Sequence, residues 1–194
     1  IAQVSEEDID SVKKLYAPNH EKMVLYVGAV EPRKRIIDLI DAFELAYKKD
    51  NNLSLVIIGG GEQLNEIKEY SSKKELPIYV LGSIIDGVIK YFIAADVFAL
   101  PSEGGLSLNQ AMICSKPVIA SSADGTELDL IENAKNGYIF EEKNINQLAD
   151  AILKVLSDKE LQKTMGEYSR WKIDNQVNER LFYSNFKKFL NSIR

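Results

Sequence analysis

The sequence predicts an α/β domain built on an open, doubly wound parallel sheet of about six strands, with helices on both faces and a helical carboxyl-terminal tail. Three observations predict it. Short apolar runs alternate with stretches of helical periodicity along most of the chain. The runs, such as MVLYVG and VFALP, are continuous rather than alternating, which marks strands buried on both faces. Stretches of helical pattern separate them, giving βαβ units whose crossovers are right-handed. A chain of 194 residues is long enough for one large domain.

Each element follows from local chemistry. Ser5 to Tyr16 reads as a lead-in helix, with Ser5 as cap, Asp8 three residues on, and Ile9, Val12 and Tyr16 on one side. Met23 to Gly28 is the first strand. Ile36, Leu39, Ile40, Phe43 and Tyr47 then recur at helical spacing. Leu53 to Ile58 is the second strand, ending in Gly59-Gly60-Gly61 and a helix from about Glu62. Ile78 to Leu81 is the third, followed by Gly82 and a helix to Ala95. Val97 to Leu100 is the fourth strand and stops at Pro101. Ser102 is the expected cap of a helix carrying Leu108, Ala111 and Met112. Val118 to Ala120 and Tyr138 to Phe140 complete the sheet. Asn144-x-x-Gln147 caps a helix with Leu148, Ile152, Val155 and Leu156 inward. A helix over Lys159 to Arg170 follows, and a terminal one from about Asn175 with Phe182, Phe186, Phe189 and Ile193 as its stripe.

Composition narrows the function. Hydrophobic content of 45% with 27% charged residues is that of an ordinary globular domain. No apolar run approaches the roughly 20 residues of a membrane span, and no secretory signal is visible. The chain starts at Ile1, so an upstream part is expected to be missing or processed away. Net charge of −5 argues against a general nucleic-acid or membrane surface. One histidine, His20 in a polar loop, and one cysteine, Cys114 on an apolar helix side, argue against a transition-metal site.

In open parallel sheets, ligands bind beyond the carboxyl ends of the strands. The notable loops all fall at that edge: 28–35, 59–62, 81–86, 101–106 and 121–127. In the first, Arg33-Lys34-Arg35 is a local cationic spot; solvated side chains and contact with an anion both account for it. The triple glycine fits either a tight turn or close approach of backbone to a ligand. It is not a dinucleotide fingerprint, since Leu64 stands where the third glycine is needed, and there is no P-loop sequence. Glu103-Gly104-Gly105 opens a helix, where free N–H groups and the helix dipole favour an anion. A carboxylate beside them suits hydroxyls, and Gln110 can bond ribose hydroxyls through both amide groups. That combination fits a sugar nucleotide. Glu127, near another helix start, reads equally as helix-end electrostatics or as a binding group.

LYVGAVEPRKRIIDLIDAF, LVIIGGGE, VLGSIIDGVIKYFIAADVFALPS and GTELDLIENAKNGYIF, with Trp171 in YSRW, together cover nearly the whole chain. They resemble the carboxyl-terminal, donor-binding half of retaining glycosyltransferases with two Rossmann-like domains, the GT-B architecture, in the group that includes glycogen synthases and mannosyltransferases. The resemblance implies one nucleotide-sugar-binding domain over 1–194, with a lead-in helix and loop at 1–20 and terminal helices at 158–194. It implies a UDP-, GDP- or ADP-sugar as donor, no required cofactor or metal, and a carbohydrate or lipid-linked acceptor. The acceptor-binding half would be an absent amino-terminal domain or a separate subunit, so this chain alone would not turn over. Location would be cytoplasmic, or membrane-associated through that other half.

By the same resemblance, Lys34 would contact the donor diphosphate, near Gly28 and Arg33. Gly59, Gly60 and Gly61 would face the nucleotide, and Leu81 and Gly82 would border the base. Glu103, with the amides of Gly104, Gly105 and Leu106, would hold the sugar and distal phosphate, and Gln110 the ribose. Two residues depart from the pattern. Ala29 stands where the family carries arginine, with Arg33 or Arg35 as the replacement cation. Gln110 replaces the second of two spaced glutamates, and the turn is one residue short, which displaces Glu103. These departures leave open a non-catalytic nucleotide-sugar-binding module that pairs with a catalytic partner. A weaker alternative is another enzyme of the same architecture, such as an epimerase or phosphorylase.

Overall fold

The computed structural model describes residues 4–123 and 125–177, together with Tyr183, Phe186 and Lys187. Six strands form one sheet in the order β3-β2-β1-β4-β5-β6: β1 (Lys22–Val27), β2 (Leu53–Ile58), β3 (Ile78–Gly82), β4 (Val97–Leu100), β5 (Val118–Ser121) and β6 (Gly137–Phe140). Every neighbouring pair is parallel. β2, β4 and β5 are buried along their whole length, as their continuous apolar runs require.

The helices are α1 (Glu6–Tyr16), α2 (Ile36–Lys49), α3 (Leu64–Ser72), α4 (Ile89–Ala94), α5 (Leu106–Ile113), α6 (Thr126–Leu130), α7 (Ile145–Leu156) and α8 (Lys159–Gln176). α2 packs against α3 and α7 on one side of the sheet; α1 packs against α4, and α5 against α8, on the other. The crossovers change sides because the chain winds outward from β1 to β3, then returns to β4 and winds the other way. β1 and β4 are therefore adjacent strands whose following connections diverge. Their registered ladder has two pairs, Val24↔Val97 and Leu25↔Phe98, and stops short of the carboxyl ends of both strands.

Caps follow the sequence in two places. Ser5 and Asp8 close a reciprocal capping box on α1, and Asn144 accepts the Gln147 N–H at the start of α7. Ser102 does not cap α5. Gly105 occupies that position with no side-chain cap, while the Ser102 hydroxyl donates to the Arg33 carbonyl. The turn after β4 has closed onto another loop, so its hydroxyl points across the sheet rather than along the helix. α8 runs through Asn175 to Gln176, so the expected break near Arg170 is absent. Phe182, Phe189 and Ile193 lie outside the described residues, and Phe186 is 50% exposed.

Glu132, after α6, pins α8 to the sheet. Its carboxylate accepts Lys135 Nζ at 2.7 Å, Lys172 Nζ at 2.8 Å and the Tyr168 hydroxyl at 3.1 Å. The Lys135 and Lys172 bonds hold its pKa down at about 2, against 4.5 for a free glutamate. A depressed folded-state pKa stabilises the fold above pH 4.5, and the contribution is lost as pH falls through about 2. Acid unfolding of a Glu132→Gln variant should therefore lose that component between those two values, with wild type and variant compared by circular dichroism.

Candidate functional site

The site is assembled by three loops at the carboxyl edge. At the end of β1, Tyr26 is fully buried and its hydroxyl donates to the Ala29 carbonyl at 2.7 Å. Burial pushes its phenol well above the ordinary range. The tyrosine fixes the first turn from beneath. Val30, also fully buried, donates its N–H to Gly60 O at 2.8 Å and accepts Gln63 N–H at 3.1 Å. Gly28 N–H donates to Ile58 O, and Gly59 N–H to Gly82 O. The loops after β1, β2 and β3 are thus laced together through backbone.

Tight packing explains part of the glycine run. A Cβ on Gly59 would stand 1.7 Å from the Gly28 carbonyl oxygen, and one on Gly61 would stand 2.3 Å from that of Val30. Gly60 lies beside Ser83, whose Oγ would be 2.3 Å from an added Cβ. Leu81 is half-buried and Gly82 buried, at the end of β3.

Pro32–Lys34 forms one 3-10 turn, followed by Arg35 in the left-handed region at φ 52°. This geometry sends three neighbouring cations in different directions. Arg35 turns back to Asp38 in the first turn of α2. Lys34 runs inward, 8% exposed, and its ammonium donates to the carbonyls of Glu103 at 3.0 Å and Gly104 at 3.3 Å. Arg33 stays exposed; Nη1 lies 2.6 Å from Glu103 Oε2 and Nε 2.8 Å from Glu31 Oε2. The loops after β1 and β4, which straddle the reversal in strand order, are therefore clasped by Lys34, Arg33 and Ser102.

The expected residues divide by position. Arg33, Lys34, Glu103 and Gly104 are brought into one cluster. Gly105 and the 80% exposed Leu106 begin α5, whose first N–H groups have no helical acceptor. Gln110 is half-buried five residues further on, about 7 Å along the axis. Glu127 is 1% exposed in the first turn of α6, and its Oε1 accepts Ala123 N–H at 2.5 Å and Gly125 N–H at 3.2 Å. That fits the helix-end reading. Sequence reasoning missed Tyr26, Glu31 and Asp38 as supports; only the Asp38 spacing from Arg35 carried a local signal. Among the described residues, no group of three His, Cys, Asp or Glu is placed to hold a metal, and no helix is long and apolar enough to cross a membrane.

The family profile described as "Glycosyl transferases group 1" matches residues 8–172. The chain is 32% identical over 187 residues to a poly(ribitol-phosphate) alpha-N-acetylglucosaminyltransferase of Staphylococcus aureus (strain COL), covering 93% of the chain and 37% of that protein. It is 27% identical over 180 residues to the capsular polysaccharide biosynthesis glycosyltransferase CapM of Staphylococcus aureus, covering 90% and 47%. Among solved structures it resembles a mutant of S. aureus TarM in complex with fondaparinux, alpha-GlcNAc-glycerol and UDP, with a TM-score of 0.80 and 32% identity over 88% of the chain and 35% of TarM. The chain spans less than half the length of these relatives. The sheet is the Rossmann-like one of GT-B glycosyltransferase structures. On its sequence and its fold, the chain belongs to the glycosyl transferases group 1 family.

Proposed function

We propose that this chain is the donor-binding domain of a retaining glycosyltransferase, taking a nucleoside diphosphate sugar whose glycosyl group passes to a carbohydrate or lipid-linked acceptor. The carrying observation is the cluster at the strand-order reversal, where Lys34 and Arg33 meet Glu103 at the mouth of α5. TarM, a relative of 32% identity, is in complex with UDP, which favours a uridine donor among the three nucleotides.

The roles follow from charge and position. Lys34 and Arg33 meet the diphosphate, and the first amides of α5, from Gly105 and Leu106, add the positive end of the helix. Glu103 accepts hydrogen bonds from the sugar hydroxyls. Gln110 donates to and accepts from the ribose hydroxyls, and the turns at Gly28, Gly59–Gly61, Leu81 and Gly82 border the nucleotide. Arg33, rather than Arg35, supplies the cation missing at Ala29, because Arg33 reaches Glu103 at the mouth of α5 whereas Arg35 turns away to Asp38. The Arg33–Glu103 pair must open when a donor arrives. Its side chains are 54% and 43% exposed, and exposed pairs contribute about 1 kcal/mol or less, so opening is a small cost against a diphosphate contact. In the transfer step the chain's part is to stabilise charge on the departing diphosphate and orient the sugar. The acceptor is held by a further domain or subunit, and no cofactor is needed.

Calorimetric titration with UDP-, GDP- and ADP-sugars tests the reading: one nucleotide class should bind with single-site stoichiometry, and no heat with any of them removes it. Ala29 and Gln110 favour a second reading, a non-catalytic module that only senses the nucleotide sugar. Joining the chain to an acceptor-binding half, with and without Gln110→Glu, separates the two. Transfer by the unaltered sequence supports the enzyme, and transfer only after the substitution supports the module.

A further inference from the structure

The opposite edge of the sheet carries a second concentration of charge that the donor site does not use. Two adjoining grooves of about 340 and 190 Å³ lie below the amino-terminal ends of β1, β4 and β5, and share Asp96 and Lys159 as walls. Lys116 and Ser115, from the turn before β5, and Gln162 and Lys163, from the first turns of α8, line the larger one. Lys13 of α1 lines the smaller. β1 spans the sheet between this edge and the donor loops, about 20 Å for six residues.

Three features mark this edge. Among the described residues, Lys13, Lys116, Lys159 and Lys163 have no carboxylate at ion-pair distance; Lys14, Lys68, Lys90, Lys143 and Lys154 share that property, and what sets the first four apart is that they line two adjoining grooves. The one carboxylate common to both grooves, Asp96, already accepts the Met23 N–H at 2.7 Å. Burial lowers the pKa of Lys116, and the nearby Asp96 carboxylate only partly offsets it; the Lys116 Nζ donates to Ile93 O at 2.7 Å. Secondly, unpaired like charges lining one groove repel one another, and an anion placed between them relieves that repulsion. Thirdly, Gln162 Nε2 is a buried donor with no partner among the described residues, and a buried unpaired donor destabilises the fold until an acceptor arrives. The amides at the start of α8 are not the attraction, since Asp158 Oδ1 accepts Glu160 and Leu161 N–H.

We propose that this groove is a binding site for a phosphate group, with Lys116, Lys159 and Lys163 as its cations and Gln162, once its Nε2 turns toward the groove, as its neutral donor. The larger groove has room for more than one phosphate, so the group can come as the free ion or as the ester of a small polyol, whose hydroxyls would meet Ser115 and Asp96. The site is independent of the donor pocket, and the proposal does not rest on the function assigned to that pocket.

The test is a titration of the 15N-labelled chain with inorganic phosphate, at ionic strength held constant by exchange against chloride. Amides of Ser115, Lys116 and residues 159–163 should shift and saturate. Lys159 and Lys163 are exposed, so a Lys159→Glu/Lys163→Glu double variant keeps the fold, and it should lose at least tenfold in affinity. In a parallel arm, glycerol phosphate binding more tightly than phosphate identifies an ester as the ligand, and equal binding identifies the free ion. Lys34→Ala should leave these shifts unchanged, which separates them from any phosphate bound at the donor edge. Non-saturating shifts, identical shifts with chloride alone, or unchanged affinity in the double variant would overturn the site.

Discussion

Replacing Lys34 by alanine should weaken nucleoside diphosphate binding tenfold or more, roughly 1.4 kcal/mol, while leaving the chain folded. Lys34 is 8% exposed, and its ammonium is held between the Glu103 and Gly104 carbonyls. It stands at the point where the β1 and β4 loops close over the crevice. Its removal takes one cation from the proposed diphosphate site and leaves two carbonyls without their donor. Hydrogen bonds to charged groups contribute about 1.5–3 kcal/mol, so the loop should loosen as well. Titration calorimetry with UDP gives the affinity, and a thermal melt gives the loop's share. Arg33→Gln is the companion variant. Its guanidinium is exposed, so stability should change by about 1 kcal/mol or less, while affinity falls. If UDP binds both variants as it binds wild type, the cations have no part in donor binding.

Gly59→Ala should be far more damaging to stability, costing about 3 kcal/mol or more. The new methyl would meet the Gly28 carbonyl oxygen at 1.7 Å, and the main chains of Gly28 and Gly59 are both bonded across β1, β2 and β3. Its φ of 155° adds strain that a side chain does not tolerate easily. Gly105→Ala is the informative contrast. No atom lies within 4 Å of a Cβ there, and the backbone is extended at φ 171°. Loss of a glycine cap costs about 1 kcal/mol or less, so the fold should survive, and any fall in donor affinity would report contact between the ligand and the mouth of α5. Urea unfolding midpoints for the two variants check the pair of predictions. A Gly59→Ala protein as stable as wild type would mean that the turn can move away from β1.

The strands were legible in the sequence because burial on both faces leaves no polar residue in runs such as VFAL, and the helices because their apolar positions recur each turn. The Ser5 and Asn144 caps were legible too, since each acts on an N–H three residues away. Ser102 has the same chemistry but serves a carbonyl 69 residues distant. No local pattern records that choice. Likewise the triple glycine offered two readings, and the close approach of the β1 turn supplies a packing reason for Gly59 and Gly61 that is independent of any ligand. Arg33, Lys34 and Arg35 were one cationic patch in sequence; the left-handed backbone at Arg35 sends them to Glu103, to two carbonyls and to Asp38.

By itself, the sequence determined the parallel sheet, the edge at which the long loops gather and the family resemblance, because periodicity and short motifs are properties of neighbouring residues. Tertiary structure alone decided which cation meets which acceptor, which glycines are needed for packing, and that a second set of lysines converges at the far edge. Those facts depend on distances between strands that are separated by tens of residues in the chain, and such distances are fixed only when the sheet closes its order and the loops pack against one another.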